Sequence, residues 1–330
     1  MLHIHNGDAA ANIAKQTSLP GEHFAFREAL IDGPTPAQFN GNDWRLVRAR
    51  HLWSAYGVDL VECGKGLLAQ EMKLASFAFH DEVVLWFEHD LFCQVHLIYL
   101  LDWFGRRQLG NTKLSLVCIG EFPGRENFRG LGELTSQEFA SLFPARQQVT
   151  QGQLELATSA WDAYRSDDPS GIEKLDQTAT SSLPFLRSAL NAHLQRFPST
   201  TNGLGRIENT ALRLIAGGAT RFSELFARFG AAEPGYGLGD AQFWLALRAL
   251  NLVRHPLVAV EDSNGAAARL GKEIVSETTF EITETGKAVL RSEADFISLN
   301  GVEFWLGGVH FSGRKKTWRW DDENKTLILG

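Results

Sequence analysis

The chain reads as a mixed α/β protein whose N-terminal part is a Rossmann-like, mostly parallel sheet. Three observations predict this. Short apolar runs alternate with stretches of helical period from residue 2 to about residue 125. The run Val83, Val84, Leu85, Trp86, Phe87 is apolar throughout, as a strand covered on both faces is. It stops at Glu88, His89 and Asp90 and becomes a helical pattern over 91–104. Past residue 183 the pattern changes to short helices followed by two extended runs.

Residues 2–5 open the chain as a strand. Asn6, Gly7 and Asp8 turn it into the small-residue run 9–14, where Asp8 can cap the first helical turn. A second strand, 22–26, leads into a turn-rich loop, 27–36, containing Gly33, Pro34 and Pro36. Helices are predicted over 43–56 and 65–77, a third strand over 82–87, and its helix over 91–104. A fourth strand, 114–119, ends at Gly120, Glu121, Phe122, Pro123 and Gly124. A helical connector follows, clearest at 135–143 and 150–165, with a linker expected at 177–183. Helices are then predicted over 183–197, 206–216, 221–229 and 240–250. Two extended runs, 252–260 and 278–282, flank a polar loop at 262–269. Three helices and a ribbon is the winged-helix order. The tail, 296–329, alternates apolar and polar residues as a small β element does. The expected division is a Rossmann-like domain at 1–130, a helical connector at 131–183, and a winged-helix-like domain with a β tail at 184–330.

Composition narrows the function classes. At 330 residues, with 44% hydrophobic and 22% charged residues, the chain has core enough for two domains. Its net charge of −7 argues against a general nucleic-acid binder. The deficit lies in residues 1–183, which carry 15 Lys/Arg against 23 Asp/Glu, while 184–330 carry 17 against 16. Three scattered cysteines, Cys63, Cys93 and Cys118, form neither a disulfide framework nor a zinc pattern. Two of them read as small core residues. With no secretion signal and no apolar run of membrane-spanning length, the expectation is a soluble cytoplasmic protein without a membrane partner.

Clustered carboxylates are the sharpest chemical signal. Asp8, Glu88, Asp90 and Glu121 each follow a predicted strand, so a parallel sheet would bring them to one edge, where α/β folds bind ligands. Four acids there suit a hard divalent cation, Mg²⁺ or Mn²⁺, shared with a substrate phosphate. The competing reading is that Asp8 and Asp90 cap the helices that follow. His89 lies between two carboxylates, which favour its cationic form and suit an acid/base role. His96 reads as a packing residue. Asn6, Gly7, Gln94 and Arg125 are the candidates for orienting substrate. His3 and His5 share one face of the first strand, near a ligand or simply satisfied in the core. No G-x-S-x-G elbow, H-E-x-x-H helix, G-x-G-x-x-G loop or P-loop is present. In the C-terminal part, the would-be recognition helix 240–250 offers only Gln242 and Arg248 to nucleic acid, so a packing role competes with DNA reading. Arg314, Lys315 and Lys316 beside Trp318 and Trp320 form the one basic–aromatic cluster.

Several of these pieces resemble a bacterial family known only as a domain of unknown function, DUF1835. They are His3-Ile4-His5-Asn6-Gly7-Asp8, Asp32-Gly33-Pro34, and Leu85-Trp86-Phe87-Glu88-His89-Asp90 with Gln94. The region from Thr200 to Trp244, and the motif Trp305-Leu306-Gly307-Gly308-Val309-His310, are similar to a companion C-terminal domain (DUF3658-like). The resemblance implies the domain division and no activity. The residues themselves point to a metal-dependent hydrolase or phosphoryl-transfer enzyme acting on a phosphorylated or nucleotide-like small molecule. The alternatives are a ligand-sensing regulator, whose C-terminal module contacts nucleic acid or protein, and an interaction scaffold. The oligomeric state is open.

Overall fold

The computed structural model describes residues 1–126, 128–177, 182–260, 269–314 and 317–330. Most of the expected linker, the loop at 262–268, and Lys315 and Lys316 lie outside them. The N-terminal part follows the predicted alternation: β1 (Leu2–Asn6), α1 (Asp8–Ala14), β2 (Glu22–Phe26), α2 (Gly41–Tyr56), α3 (Leu60–Ala75), β3 (Glu82–Glu88), α4 (Leu91–Gly105) and β4 (Lys113–Ile119). The order across the sheet is β2-β1-β3-β4, all parallel, with the short β5 (Gln147–Gln148) antiparallel at the β4 edge. Because β1 is the neighbour of both β2 and β3, the chain reverses its direction of travel across the sheet there. The crevice beyond the ends of β1 and β3 is the topological switch point, where open α/β sheets bind ligands.

Strand alternation assigns the two faces. Leu2, Ile4, Val83, Leu85 and Phe87 point toward α4. Val84, Trp86 and Val117 point the other way, toward Ala10 and Ala14 of α1 and Phe139 of α5 (Ser136–Ser141). Both faces of β3 are therefore covered, which explains its unbroken apolar sequence. α3 begins five residues earlier than its hydrophobic pattern suggests, because Asp59 caps it through the Val61 and Glu62 amides.

α6 (Gln151–Arg165), α7 (Ser170–Gln177) and α8 (Leu186–Leu194) join one apolar core that runs from the sheet, through α4, into the C-terminal part. That part contains α9 (Arg206–Ala216), α10 (Phe222–Ala232) and α11 (Asp240–Asn251). An antiparallel ribbon follows, β6 (Val258–Val260) with β7 (Phe280–Ile282), then α12 (Glu284–Leu290). The ribbon is shorter than the extended runs suggest. The tail does not alternate from its start: Asp295 caps α13 (Phe296–Asn300) through the Ser298 amide. Two antiparallel hairpins complete it, β8 (Val302–Leu306) with β9 (Val309–Gly313) and β10 (Trp318–Asp321) with β11 (Thr326–Leu329). A Cβ at Gly308 in the first turn would stand 1.8 Å from the Arg165 carbonyl oxygen, so only glycine lets this hairpin sit on the end of α6. Among the described residues, no helix is long and apolar enough to cross a membrane.

α11 packs inward. Phe243, Trp244, Leu247 and Leu250 are buried, and its two polar candidates face α2. Gln242 meets the Tyr56 hydroxyl at 3.3 Å, and Arg248 donates to the Ala55 carbonyl at 3.0 Å. The side chains expected to reach nucleic acid are thus engaged inside the molecule. In the tail, Trp320 is buried and bonded to Asp322, and Arg314 donates to the Leu299 carbonyl.

Candidate functional site

The end of β3 delivers Glu88 to the switch point, and Asp90, two residues on, caps α4 by accepting from the Cys93 amide at 2.9 Å. The capping reading of Asp90 is therefore correct, yet capping does not expose it. Glu88 and Asp90 are both buried. Glu88 accepts from the Leu131 amide on one oxygen and from the Cys93 thiol on the other, each at 2.7 Å. Asp90 is covered from the far end of the sequence: a Cβ on Gly237 would lie 2.0 Å from Asp90 Oδ1, and Gly237 has φ +63°. The segment at 130–131 and the turn at 236–237 thus close the pair from two sides.

A directed chain of hydrogen bonds ends at Glu88. The Leu30 amide can only donate, so His96 Nε2, 3.2 Å away, accepts. His96 therefore carries its proton on Nδ1 and donates it to Asn6 Oδ1 at 2.6 Å. Asn6 Nδ2 donates to Cys93 Sγ at 2.7 Å, and the thiol donates to Glu88. Burial lowers the His96 pKa to about 3, so the ring stays neutral and the direction of the chain is fixed.

Burial dominates the electrostatics of the pair. Burial first, and then the neighbouring Asp90 charge, raise the Glu88 pKa to about 7 against the opposing pull of the Cys93 thiol and the Leu131 amide. Asp90 is raised by the same desolvation. Burial, with the two carboxylates next to it, pushes the Cys93 thiol well up. Glu88, Asp90 and Cys93 bring ligand atoms within 4.8 Å of one another, so this trio could hold a metal ion.

The four-acid rim is not what forms. Asp8 is half-exposed and paired with Arg27, which follows β2, at 2.6 Å, an ion pair that lowers its pKa. It does not cap α1 either, because Gly7 occupies the cap position with φ +84°. Glu121 is exposed and lies outside the trio. Arg125 pairs with Glu138 at 2.7 Å, where Glu138 also closes the capping box of α5. Gln94 is buried and spends its amide on the Glu88 carbonyl at 2.7 Å, so it fixes the strand end and is not free to meet substrate. Of the nine candidates, Asn6, Glu88 and Asp90 converge directly. His89 adjoins them with its ring 6.0 Å from Phe185 and Nδ1 buried without a partner. Gly7 stands at the end of β1 with open space where a side chain would be.

Sequence reasoning passed over Cys93 and His96 as core residues and had no means of finding the Leu131 amide or Gly237. Cys93 had one available signal: it is the third residue of a helix whose cap is Asp90, so its amide and side chain face the cap. His3 and His5 are core histidines. His3 bonds the Pro20 carbonyl and Trp86, and His5 bonds His23. Both pack with Trp86 on the α5 face of the sheet, His3 also with Phe143 and His5 also with Phe139.

No protein-family model matches this chain, and no curated protein does. The DUF1835 resemblance rests on its motifs.

Proposed function

We propose that this chain is a metal-dependent enzyme whose reaction centre is the Glu88–Asp90 pair at the switch point, acting on a small phosphorylated or nucleotide-like molecule. The observation that carries the reading is one juxtaposition: two buried carboxyls, one with its pKa near 7, where the fold class binds ligands. A structural ion pair would match each acid with a cation. Here Glu88 has only neutral donors and a second acid beside it.

The donor set bears on the cation. With Asp8 and Glu121 elsewhere, Mg²⁺ or Mn²⁺ loses half of the expected oxygens. Two carboxylates and a thiol suit a thiolate-accepting ion such as Zn²⁺, which takes three protein ligands in open sites. Bound there, it would supply Lewis acidity toward a phosphate oxygen. As ligands, Glu88 and Cys93 would both give up their protons, so the acid/base role falls to His89, which adjoins them with Nδ1 buried and unpartnered. In the metal-free site Asn6 and Cys93 orient the Glu88 carboxyl, and the segments around Leu131 and Gly237 exclude water from it. A nucleic-acid-binding regulator is less well supported, since Gln242 and Arg248 are engaged with α2.

Calorimetric titration of the full chain with Zn²⁺, Mn²⁺ and Mg²⁺ tests the reading. Zn²⁺ is expected to bind most tightly, with proton release, and Glu88→Gln is expected to weaken it by about tenfold or more. Equal binding by wild type and variant, or none by either, would remove the metal centre. Unchanged phosphatase or phosphotransfer turnover in Glu88→Gln and Asp90→Asn would remove the enzyme.

A further inference from the structure

Seven of the ten large apolar side chains that stand exposed among the described residues fall between 46 and 79. On α3 they recur regularly. Val61, Leu68 and Met72 are 61%, 44% and 66% exposed, and Ala75 is exposed too. With Lys65 they occupy positions 61, 65, 68, 72 and 75, and Phe79, 88% exposed, continues the count just past the helix. Steps of four and three are the spacing of a heptad seam, which presents one stripe of a helix to another helix. Only Cys63 and Leu74 of α3 are buried in the molecule. Leu46 and Trp53, seven residues apart on α2, are exposed as well. Single exposed leucines are ordinary, whereas an apolar stripe of this kind, interrupted by Lys65 alone, marks a contact surface.

We propose that this face docks a second copy of the chain, α3 against α3, antiparallel across a two-fold axis. The occupant follows from the self-complementarity of the stripe. Set antiparallel about residue 70, Val61 meets Phe79 of the second copy, Leu68 meets Met72, and Lys65 meets Ala75. The same contacts repeat in reverse, as an isologous interface requires. The outer layer joins a larger side chain to a smaller one, and the central layer joins two of similar volume. Lys65, the charge on the seam, stands opposite the smallest member and one turn from Glu71 of the second copy. Within its own chain Lys65 reaches Glu62, an exposed i,i+3 pair that costs little to exchange. The stripe lies outside the Glu88 site, so the two readings stand or fall separately.

Sedimentation of the full chain over a concentration series tests the proposal. The wild type is expected to form a reversible dimer, and Leu68→Glu with Met72→Glu a monomer with an unchanged circular-dichroism spectrum. Register is read by mixing Leu68→Cys chains with Met72→Cys chains under mild oxidation. A covalent heterodimer is expected, well above the homodimer each forms alone. The native thiols contribute little background, since Cys63 and Cys93 are buried and Cys118 is partly so. A wild type monomeric at every concentration, a dimer that survives both glutamates, or preferential linkage of position 68 to itself would each overturn it.

Discussion

Cys93 donates a thiol hydrogen bond to Glu88 at 2.7 Å while its sulfur accepts from Asn6, so a single side chain links the ends of β1 and β3. Removing it strips a donor from a buried carboxyl and leaves the Asn6 amide unmatched. Cys93→Ala is expected to cost about 1–3 kcal/mol of stability and to raise the Glu88 pKa further, because a hydrogen bond that favours the charged form is gone. Cys93→Ser keeps a donor and an acceptor and should retain most of both. Denaturant unfolding of the two variants, with carboxyl-carbon NMR on Glu88, measures the difference. Equal loss in both would show that the sulfur acts by packing alone.

Stability should depend on pH in two opposed ways. The folded-state pKa of Glu88, about 7, lies above its ordinary 4.5, so between these values the native state holds a proton that the unfolded chain releases. Its contribution is complete below pH 4.5 and is lost as pH rises through 7, on the order of 3 kcal/mol at most. Asp90 acts in the same sense. His96 acts in the other: its pKa is depressed to about 3, so its contribution is complete above 6.5 and is lost as pH falls. His51, lowered to about 4 by burial, adds to that acid-side loss. Glu88→Gln should therefore abolish the decline in melting temperature between pH 6.5 and 7, where the histidine effect has faded. A variant with the wild-type profile would mean that Glu88 is not the group titrating there.

These interactions mark where sequence was sufficient and where it was not. The strand–helix alternation and the position of Glu88 and Asp90 were legible because burial on both faces leaves an unbroken apolar run, and its end is visible as the first charged residues. The failure of the four-acid rim has a local cause. Arg27 lies just past β2, the immediate neighbour of β1, so it reaches Asp8 and neutralises it. Glu121 lies past the bend at Gly120 and is exposed. The His96–Asn6 contact spans 90 residues, and Gly237 meets Asp90 across a larger interval; no local pattern encodes either. α11 carries the helical period of a recognition helix, yet the same period also suits burial against α2, and sequence cannot separate the two.

Gly237 provides a test of whether the C-terminal part seals the site. Its positive φ disfavours any side chain, and a Cβ would also collide with the Asp90 carboxylate. Gly237→Ala should destabilise the chain by about 1–3 kcal/mol and speed hydrogen exchange at the Cys93 amide as the turn lifts from Asp90. Because part of that cost is steric, it should shrink in an Asp90→Ala background, which removes the atoms at 2.0 and 2.2 Å and leaves the one at 2.9 Å. Additive effects in the double variant would show that φ alone is responsible.

Arg48 holds the loop whose amide sets the His96 tautomer. Fully buried on α2, it donates to both oxygens of Glu28, at 2.8 and 3.3 Å. It also donates to the carbonyls of Ala29, Asp32 and Pro34. A planar five-donor fork can satisfy that ring of acceptors, whereas an ammonium with three donors cannot. Arg48→Ala leaves Glu28 buried without its cation and should cost about 3–5 kcal/mol. Arg48→Lys should fall between it and the wild type, and pairing Arg48→Met with Glu28→Gln should recover part of the loss, because neither charge is then stranded. The loop also carries the Leu30 amide, so loosening it should free His96 Nε2 and mix the two tautomers. Nitrogen-15 NMR of His96 reads that directly. A single Nδ1–H tautomer surviving in Arg48→Lys would mean that the relay to Glu88 is held by Asn6 alone.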